Sequence, residues 1–290
     1  MSSAKPAHIL KNTVLLRRSI VSICLAVALF FFAQEAWCKS SSARSKKNKT
    51  SVTAQAVYAV DLANNKVLFS RNARLRFQPA STVKLLTALV VLEHLKLEDE
   101  IVVSARAAGV EPTKAGLRAG VAYSAKDLLE ALLATSANDA GIALAEAVSG
   151  TEAKFSALMN KKARSIGCRN SNFTNATGLP NKYQRTTAYD LSLITKAAFG
   201  DTFIRSTMKK KAVSIKGSDG RLITRNNHNK LLWRLKNPSV LGKTGYTKSA
   251  GHCYAGVAYY KGRNVSVVIM KSRKPWADIY AILGVRPKKG

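Results

Sequence analysis

The sequence PASTVK, at positions 79–84, runs directly into the apolar octapeptide LLTALVVL at positions 85–92. This junction predicts a helix that begins near Ser81, because a serine followed by an uninterrupted apolar run is typical of a helix start. A lysine three residues after a serine lies on the same face of such a helix, one turn away. The stretch therefore puts the hydroxyl of Ser81 beside the amine of Lys84, as a nucleophile beside its own base.

This pair suits acyl transfer, because a serine hydroxyl needs a neighbouring base to become a good nucleophile. Lys84 serves as that base when its amine is neutral, and burial or a second nearby cation lowers its pKa toward that state. Free N–H groups and the helix dipole favour an oxyanion beside Ser81. Taken alone, however, Ser-x-x-Lys is a loose pattern in a chain with 47 Lys+Arg, and a capped helix with a solvated lysine explains it better.

Two further motifs change that assessment. Ser136-Ala137-Asn138 connects two predicted helices, and Lys243-Thr244-Gly245 leads into the predicted C-terminal strands. Each by itself fits a helix cap or a turn with a solvated lysine. In the order Ser-x-x-Lys, Ser-x-Asn, Lys-Thr-Gly, however, the three make up the motif set of penicillin-binding proteins and class A β-lactamases.

The chain resembles the serine-type D-alanyl-D-alanine carboxypeptidases, the low-molecular-mass penicillin-binding proteins. The resemblance covers roughly residues 53–283 and includes PASTVKLLTALVVLE, DLLEALLATSANDAGIALAEAVSG, FTNATGLPN, TTAYDL, NKLLW and KTGYTKSAGHC. It implies an α+β fold of the β-lactamase/transpeptidase-like type, in which helices flank a five-stranded antiparallel sheet and a helical subdomain borders the active site. No cofactor and no metal are expected.

The resemblance also implies the catalytic roles. Ser81 is the acylated nucleophile, Lys84 is its general base, and Ser136 relays a proton toward the leaving amine. The expected reaction is removal of the terminal D-alanine from peptidoglycan stem peptides, with β-lactams as covalent inhibitors.

The same resemblance implies how substrate binds. Asn138 hydrogen-bonds a substrate amide, Lys243 and Thr244 hold the terminal carboxylate, and Gly245 lets the substrate backbone lie against the strand. The backbone N–H groups of Ser81 and Tyr246 form the oxyanion hole. Two positions depart from the family: His228 stands where relatives often carry arginine, and Gln184 where many carry histidine.

Hydrophobic periodicity predicts strands near both ends of the chain and helices between them. Strands are predicted at 54–62, 66–70, 101–105, 212–216, 221–224, 253–260 and 265–270, and helices from Ser81 and at 124–133, 139–148, 153–166, 186–199 and 276–283. This order implies one antiparallel sheet built from both termini, with a helical insertion.

The N-terminus predicts export. No acid occurs before residue 19, four Lys+Arg do, and the uncharged run SIVSICLAVALFFFA at 19–33 suits a secretory signal better than a membrane span of about twenty residues. The predicted organisation is a signal peptide or N-terminal membrane anchor at 1–38, a basic disordered linker at 39–52, a catalytic domain at 53–284 and a basic tail at 285–290. The expected location is the periplasm or the outer face of the cytoplasmic membrane and the cell wall.

The formal charge of +31 is concentrated toward the C-terminus, where 20 Lys+Arg follow Gly200 against three Asp. Such a surface attracts polyanions. The basic residues form no recognisable nucleic-acid motif, so specific nucleic-acid binding is not expected. Anionic envelope polymers or a membrane surface fit an exported chain, and a basic surface without a specific partner is the alternative.

The three motifs also suit three other functions. A class A β-lactamase needs a glutamate between Ser-x-Asn and Lys-Thr-Gly to activate the deacylating water. Only Glu146 and Glu152 occur in that interval, both close after Asn138 in helical sequence, so rapid penicillin hydrolysis is not expected. A DD-endopeptidase that cleaves crosslinks uses the same catalytic residues and stays open, as does a catalytically inactive wall-binding protein. The four histidines show no metal-ligand spacing, and Cys168 and Cys253 are expected to be buried thiols rather than a disulfide.

Overall fold

Strands from both ends of the chain meet in one five-stranded antiparallel sheet. The computed structural model describes residues 52–234 and 240–284. Within them the sheet has the order β2-β1-β9-β8-β7, with β1 at Ala56–Asp61, β2 at Val67–Arg71, β7 at Val240–Thr247, β8 at Gly251–Tyr260 and β9 at Arg263–Ser272. Six successive residues of β9, 265–270, are buried, because helices cover both faces of the central strands. The predicted α+β class and the sheet built from both termini are confirmed.

The remaining elements lie between β2 and β7 or after β9. They are a 3₁₀ turn at Ala80–Val83, α1 at Lys84–Leu92, β3 at Glu100–Val102, α2 at Ala105–Gly109, β4 at Ala122–Ser124, α3 at Ala125–Glu130, a π-helical turn at Ala131–Thr135, α4 at Asn138–Ser149, α5 at Glu152–Ser165, α6 at Ala188–Gly200, α7 at Thr202–Lys209, β5 at Ala212–Lys216, β6 at Leu222–Asn226, α8 at Leu231–Arg234 and α9 at Pro275–Leu283.

Side-chain caps explain where several helices begin. Ser124, Thr151 and Thr187 each accept a hydrogen bond from the backbone N–H three residues further on, at the starts of α3, α5 and α6. Such caps satisfy backbone donors that the helix itself leaves free. Helices α1, α4 and α6 pack into the core on one face of the sheet, and α9 covers the other face with Ile279 and Leu283.

Several local predictions were wrong or incomplete. The predicted strand at 101–105 ends at Val102, because Ser104 accepts a hydrogen bond from Ala107 N and starts α2 instead. The hairpin β5–β6 forms a separate two-stranded sheet rather than joining the main one. Helix α7 was not predicted, although Asp201 caps it.

Several predicted segments lie outside the described residues: the signal or anchor, all but the last residue of the linker, and the basic tail. Among the helices at 52–234 and 240–284, none has both the length and the apolar content needed to cross a bilayer.

Candidate active site

The 3₁₀ turn before α1 presents Ser81, and the first residue of α1 is Lys84. The Nζ of Lys84 donates a hydrogen bond to Ser81 Oγ over 3.0 Å. The preceding residue, Ala80, has a φ of +48°, which bends the chain sharply into the turn. The predicted adjacency of the hydroxyl and the amine is therefore present.

Lys84 is fully buried, and its amine has two further acceptors. Nζ donates to Asn138 Oδ1 over 2.7 Å and to the carbonyl of Thr177 over 2.6 Å. Burial lowers the pKa of Lys84 well below its ordinary value, and the positive charge of Lys243 lowers it further, while Asp139 opposes the change. This environment favours the neutral amine that a general base requires.

Two glycines let separate segments pack closely against the turn that carries Ser81. A Cβ on Gly178, whose φ is +85°, would lie 2.0 Å from the carbonyl oxygen of Ala80. A Cβ on Gly245 of β7 would lie 2.8 Å from the backbone nitrogen of Ser81. Because no real side chain tolerates such distances, glycine at both positions allows the 174–179 loop and the edge strand β7 to touch the turn.

Ser81 opens onto a cleft of about 440 Å³ that is also lined by Ser136, Thr244, Gly245 and Tyr246. Within the described ranges, the hydroxyls of Ser136 and Thr244 make no hydrogen bond to protein atoms. Both hydroxyls are therefore available to polar atoms of a substrate.

Lys243 immediately precedes Thr244 on β7 but is not itself among the residues that line the cleft, and only 1% of its surface is exposed. Its Nζ donates to the neighbouring Thr244 carbonyl over 3.1 Å, and burial lowers the pKa of Lys243 to about 7. An anionic ligand beside this amine would favour its protonated form.

The segment between α3 and α4 brings Ser136 and Asn138 to the site. The π-helical turn ends at Ser136, whose φ of +65° reverses the chain before α4 begins at Asn138. The Asn138 side chain accepts from Lys84 and donates through Nδ2 to the Glu111 carbonyl over 2.9 Å. Its expected bond to a substrate amide stays a prediction.

A family profile described as D-alanyl-D-alanine carboxypeptidase matches residues 42–274 of the chain. The chain belongs to this family. It is a serine peptidase, and its fold is of the penicillin-binding, transpeptidase-like type.

Individual relatives agree with the family assignment. A Mycobacterium tuberculosis D-alanyl-D-alanine carboxypeptidase is 34% identical over 220 residues, spanning 75% of this chain and 74% of the relative. An Escherichia coli D-alanyl-D-alanine endopeptidase is 31% identical over 258 residues, spanning 88% of this chain and 82% of the relative. The solved structure of a Streptomyces DD-transpeptidase mutant superposes with a TM-score of 0.75 at 26% identity, covering 81% of this chain and 97% of that one.

The two departures from the carboxypeptidase family occupy different places. His228 lines the cleft with part of its side chain exposed, and partial removal of its ring from water, with the charges of Lys243 and Lys84, lowers its pKa to about 4. His228 is therefore a neutral imidazole at neutral pH. Gln184 is buried away from the cleft, where its Oε1 accepts from the backbone N–H groups of Thr174 and Asn175. Gln184 thus shapes the loop that carries Thr177 and Gly178.

Asp139 is a structural support that sequence reasoning missed. Its fully buried carboxylate accepts hydrogen bonds from the backbone N–H groups of Ala115, Gly116 and Leu117, at 2.9 to 3.1 Å. These bonds hold the loop that carries Thr113 into the cleft lining. The sequence offered one signal for this role, which is an acidic residue immediately after the Ser-x-Asn motif at the start of an apolar helix. Lys230 and His252 also line the cleft without having been predicted.

The glutamates that a β-lactamase would need are engaged elsewhere. Glu146 bonds Ser104 and Arg106, and Glu152 bonds Arg106 and the Ala176 N–H. Within the described residues, no glutamate lines the cleft. Cys168 and Cys253 are buried free thiols, as predicted.

Proposed function

We propose that this protein is a serine DD-carboxypeptidase that removes the terminal D-alanine from peptidoglycan stem peptides through an acyl-enzyme on Ser81. The observation that carries the proposal is the buried amine of Lys84, 3.0 Å from Ser81 Oγ, with a strongly lowered pKa. A nucleophile paired with a neutral base at the start of a helix is the machinery of acyl transfer.

Acylation begins when Ser81 Oγ attacks the carbonyl carbon of the penultimate D-alanine and its proton passes to neutral Lys84. The resulting oxyanion accepts hydrogen bonds from the backbone N–H groups of Ser81 and Tyr246. The close approach of Gly245 to the Ser81 turn supports this assignment, because a Cβ on Gly245 would lie 2.8 Å from Ser81 N and Tyr246 is the next residue of the edge strand.

The intermediate collapses when the C–N bond breaks and the leaving D-alanine amine takes the proton, relayed from Lys84 through Ser136. Water then attacks the ester carbonyl and Lys84 accepts its proton. The C–O bond to Ser81 breaks as Lys84 returns that proton to Ser81 Oγ, which restores the hydroxyl and the neutral amine. Lys243 and Thr244 hold the terminal carboxylate, because a cation and a hydroxyl together suit a carboxylate better than either alone. Substrate binding raises the pKa of Lys243 and thereby keeps it charged.

DD-endopeptidase activity is the second candidate. The Escherichia coli endopeptidase relative, aligned over 82% of its length, favours it. A crosslinked muropeptide dimer and a pentapeptide, offered separately to the purified protein, distinguish the two activities by the products released. A catalytically inactive wall-binding role is disfavoured by the intact Ser81 and Lys84 pair.

We also propose the location and the inhibitors. The N-terminal sequence supports export to the periplasm or the outer face of the cytoplasmic membrane. A β-lactam offers an acyl carbonyl and a carboxylate in one small molecule, and it would form a long-lived ester because no glutamate of the described chain lines the cleft to activate water. Anionic envelope polymers or a membrane surface would attract the surplus positive charge.

The test is intact-protein mass after exposure to benzylpenicillin, with Ser81→Ala and the control Ser206→Ala, an exposed serine of α7. We expect one penicilloyl adduct on the wild type and the control, and none on Ser81→Ala. Absence of both an adduct and penicillin hydrolysis would overturn the catalytic proposal. Rapid hydrolysis without an accumulating adduct would overturn the long-lived ester.

A further inference from the structure

A second cleft, of about 830 Å³, lies at the other end of the edge strand from the active site. It forms where α6 and α7 pass the ends of the sheet, and Leu241 of β7 and Val257 of β8 contribute apolar lining. Leu241 precedes Gly245 by four residues, which is roughly 13 Å along a strand. The two clefts share no lining residue, so this cleft is separate from the catalytic one.

Four cationic residues line this second cleft: Lys196 of α6, Arg205 and Lys209 of α7, and Arg263 of β9. Only one carboxylate, that of Asp61, accompanies them. Asp61 is buried and already has partners, because its Oδ1 accepts from Ala63 N over 3.0 Å and its Oδ2 lies 3.9 Å from Arg263 Nε. The lining therefore carries an excess of positive charge.

The other three cations have no acidic partner in the described part of the chain. Arg205 donates to the carbonyl of Phe199 over 2.9 Å, and Lys196 donates to Asn65 Oδ1 over 3.2 Å, so both partners are neutral. Arg205 and Lys209 are four residues apart on α7, where like charges repel each other and destabilise the helix. An anionic ligand would relieve this repulsion.

The lining also fits a sugar ring. Tyr259, 60% exposed, presents an aromatic ring beside these cations, and Phe199, Leu241 and Val257 add apolar surface. Aromatic faces with convergent polar groups are typical of sites for ligands that carry both apolar and polar surface. The cations line a concave cleft, which a flat bilayer surface would not enter.

We propose that this cleft binds an acidic polysaccharide of the cell envelope, whose carboxylate or phosphate groups meet Lys196, Arg205 and Lys209 while a sugar ring packs on Tyr259. The inference gives a location to the anionic envelope polymer proposed above. It rests on the proposed function only for the source of the polymer and does not depend on chemistry at Ser81.

The test compares two variants of equal charge. The cleft variant is Lys196→Gln/Arg205→Gln/Lys209→Gln, and the control is Lys154→Gln/Lys161→Gln/Arg164→Gln, three exposed residues of α5. Binding of the full chain to a labelled oligogalacturonate is measured by fluorescence anisotropy over a range of salt concentrations. We expect the cleft variant to bind about tenfold more weakly at physiological salt, and the control to change by less than about twofold. Equal losses would overturn the proposal, because they would show a diffuse charge effect.

Two further arms identify the ligand. Tyr259→Ala should weaken binding of oligogalacturonate but leave binding of polyglutamate, which has no sugar ring, unchanged; equal effects on both would refute the sugar contact. A cleft variant that loses binding to phosphatidylglycerol vesicles but keeps oligogalacturonate binding would show a membrane site instead. Thermal unfolding of each variant checks its folding. The binding readout does not use Ser81, so failure of acylation would refute the catalytic proposal alone.

Discussion

Replacement of Lys243 by methionine should stabilise the protein while removing its capacity to hold a carboxylate. Methionine has nearly the length of lysine and no charge, so Lys243→Met keeps the packing and deletes the ammonium. Lys243 is 1% exposed, and its amine makes a hydrogen bond only to the adjacent Thr244 carbonyl among the described residues. The native fold therefore contains a buried amine with little compensation.

The size of the effect follows from the pKa of Lys243. Burial lowers this pKa from 10.5 to about 7, and each tenfold change in a proton dissociation constant equals about 1.4 kcal/mol. Below pH 7, burial of this group therefore costs roughly 5 kcal/mol of folding free energy as an upper bound. We expect a net gain of about 2 kcal/mol in Lys243→Met, since the lost hydrogen bond and imperfect packing offset part of it.

The gain should depend on pH. Between about pH 7 and 10.5 the unfolded state binds a proton at Lys243 that the folded state does not, so the stability of the wild type rises with pH across this window. The advantage of the variant is thus full below pH 7 and shrinks as pH rises toward 10.5. Urea unfolding at pH 6 and pH 9 measures the difference in unfolding free energy between the variant and the wild type. The control is Lys230→Met, which changes an exposed lysine of the cleft and should stay within about 0.5 kcal/mol of wild type.

Activity should move in the opposite direction. Loss of a charged hydrogen-bonding group typically costs 1.5 to 3 kcal/mol, so acylation by benzylpenicillin should slow by roughly 10- to 100-fold in Lys243→Met. A variant that is less stable than wild type at pH 6, or an advantage that does not change with pH, would refute the reasoning. Such a result would mean that Lys243 is compensated in the folded state.

Three further predictions follow from the site. The second-order rate constant for acylation, measured by stopped flow at different pH values, should rise as Lys84 loses its proton and fall above about pH 7 as free Lys243 loses its own. If the fall at alkaline pH persists in Lys243→Met, it does not come from Lys243 and contradicts this prediction. Gly178→Ala should slow acylation by at least about 100-fold, because its Cβ would overlap the Ala80 carbonyl. The control Gly120→Ala should be acylated normally, because Gly120 has a similar φ but a Cβ there would have no atom within 4 Å; equal slowing of both variants would implicate backbone strain instead. Burial raises the pKa of Cys253 to about 11 and that of Cys168 to about 12, so both thiols should react slowly with iodoacetamide. Peptide mapping should find both cysteines unlabelled in the native protein and labelled in urea, and rapid labelling of the native protein would disprove their burial.

Much of the site could be predicted because its chemistry is carried by local motifs. Ser81 and Lys84 are adjacent through helical geometry alone, since three residues make about one turn. Helix and strand types also followed from periodicity and from caps such as Ser124 and Thr187. The missed helix α7 and the shortened strand β3 show the limit of such signals, because short elements carry too few residues for a clear period.

Contacts between distant segments could not be predicted in the same way. Nothing local to Gly178 says that it meets Ala80, and nothing local to Asp139 says that it holds residues 115–117. Gln184 shows the same limit, because the sequence marks it only as a departure from the family, whereas the structure shows that it holds the backbone of Thr174 and Asn175.

The sequence by itself indicated the class of fold through hydrophobic periodicity and the family through its resemblance to known relatives. It also predicted Ser81 as the nucleophile and Lys84 as its base, because their spacing places them one turn apart on one element. Only the tertiary structure shows that the pKa of Lys84 is lowered, because this pKa depends on burial and on Lys243, which is far away in the chain. It also decided that Lys196, Arg205 and Arg263, from three different elements, face one cleft. Burial and charge density are sums over neighbours in space, and those neighbours exist only once the chain has folded.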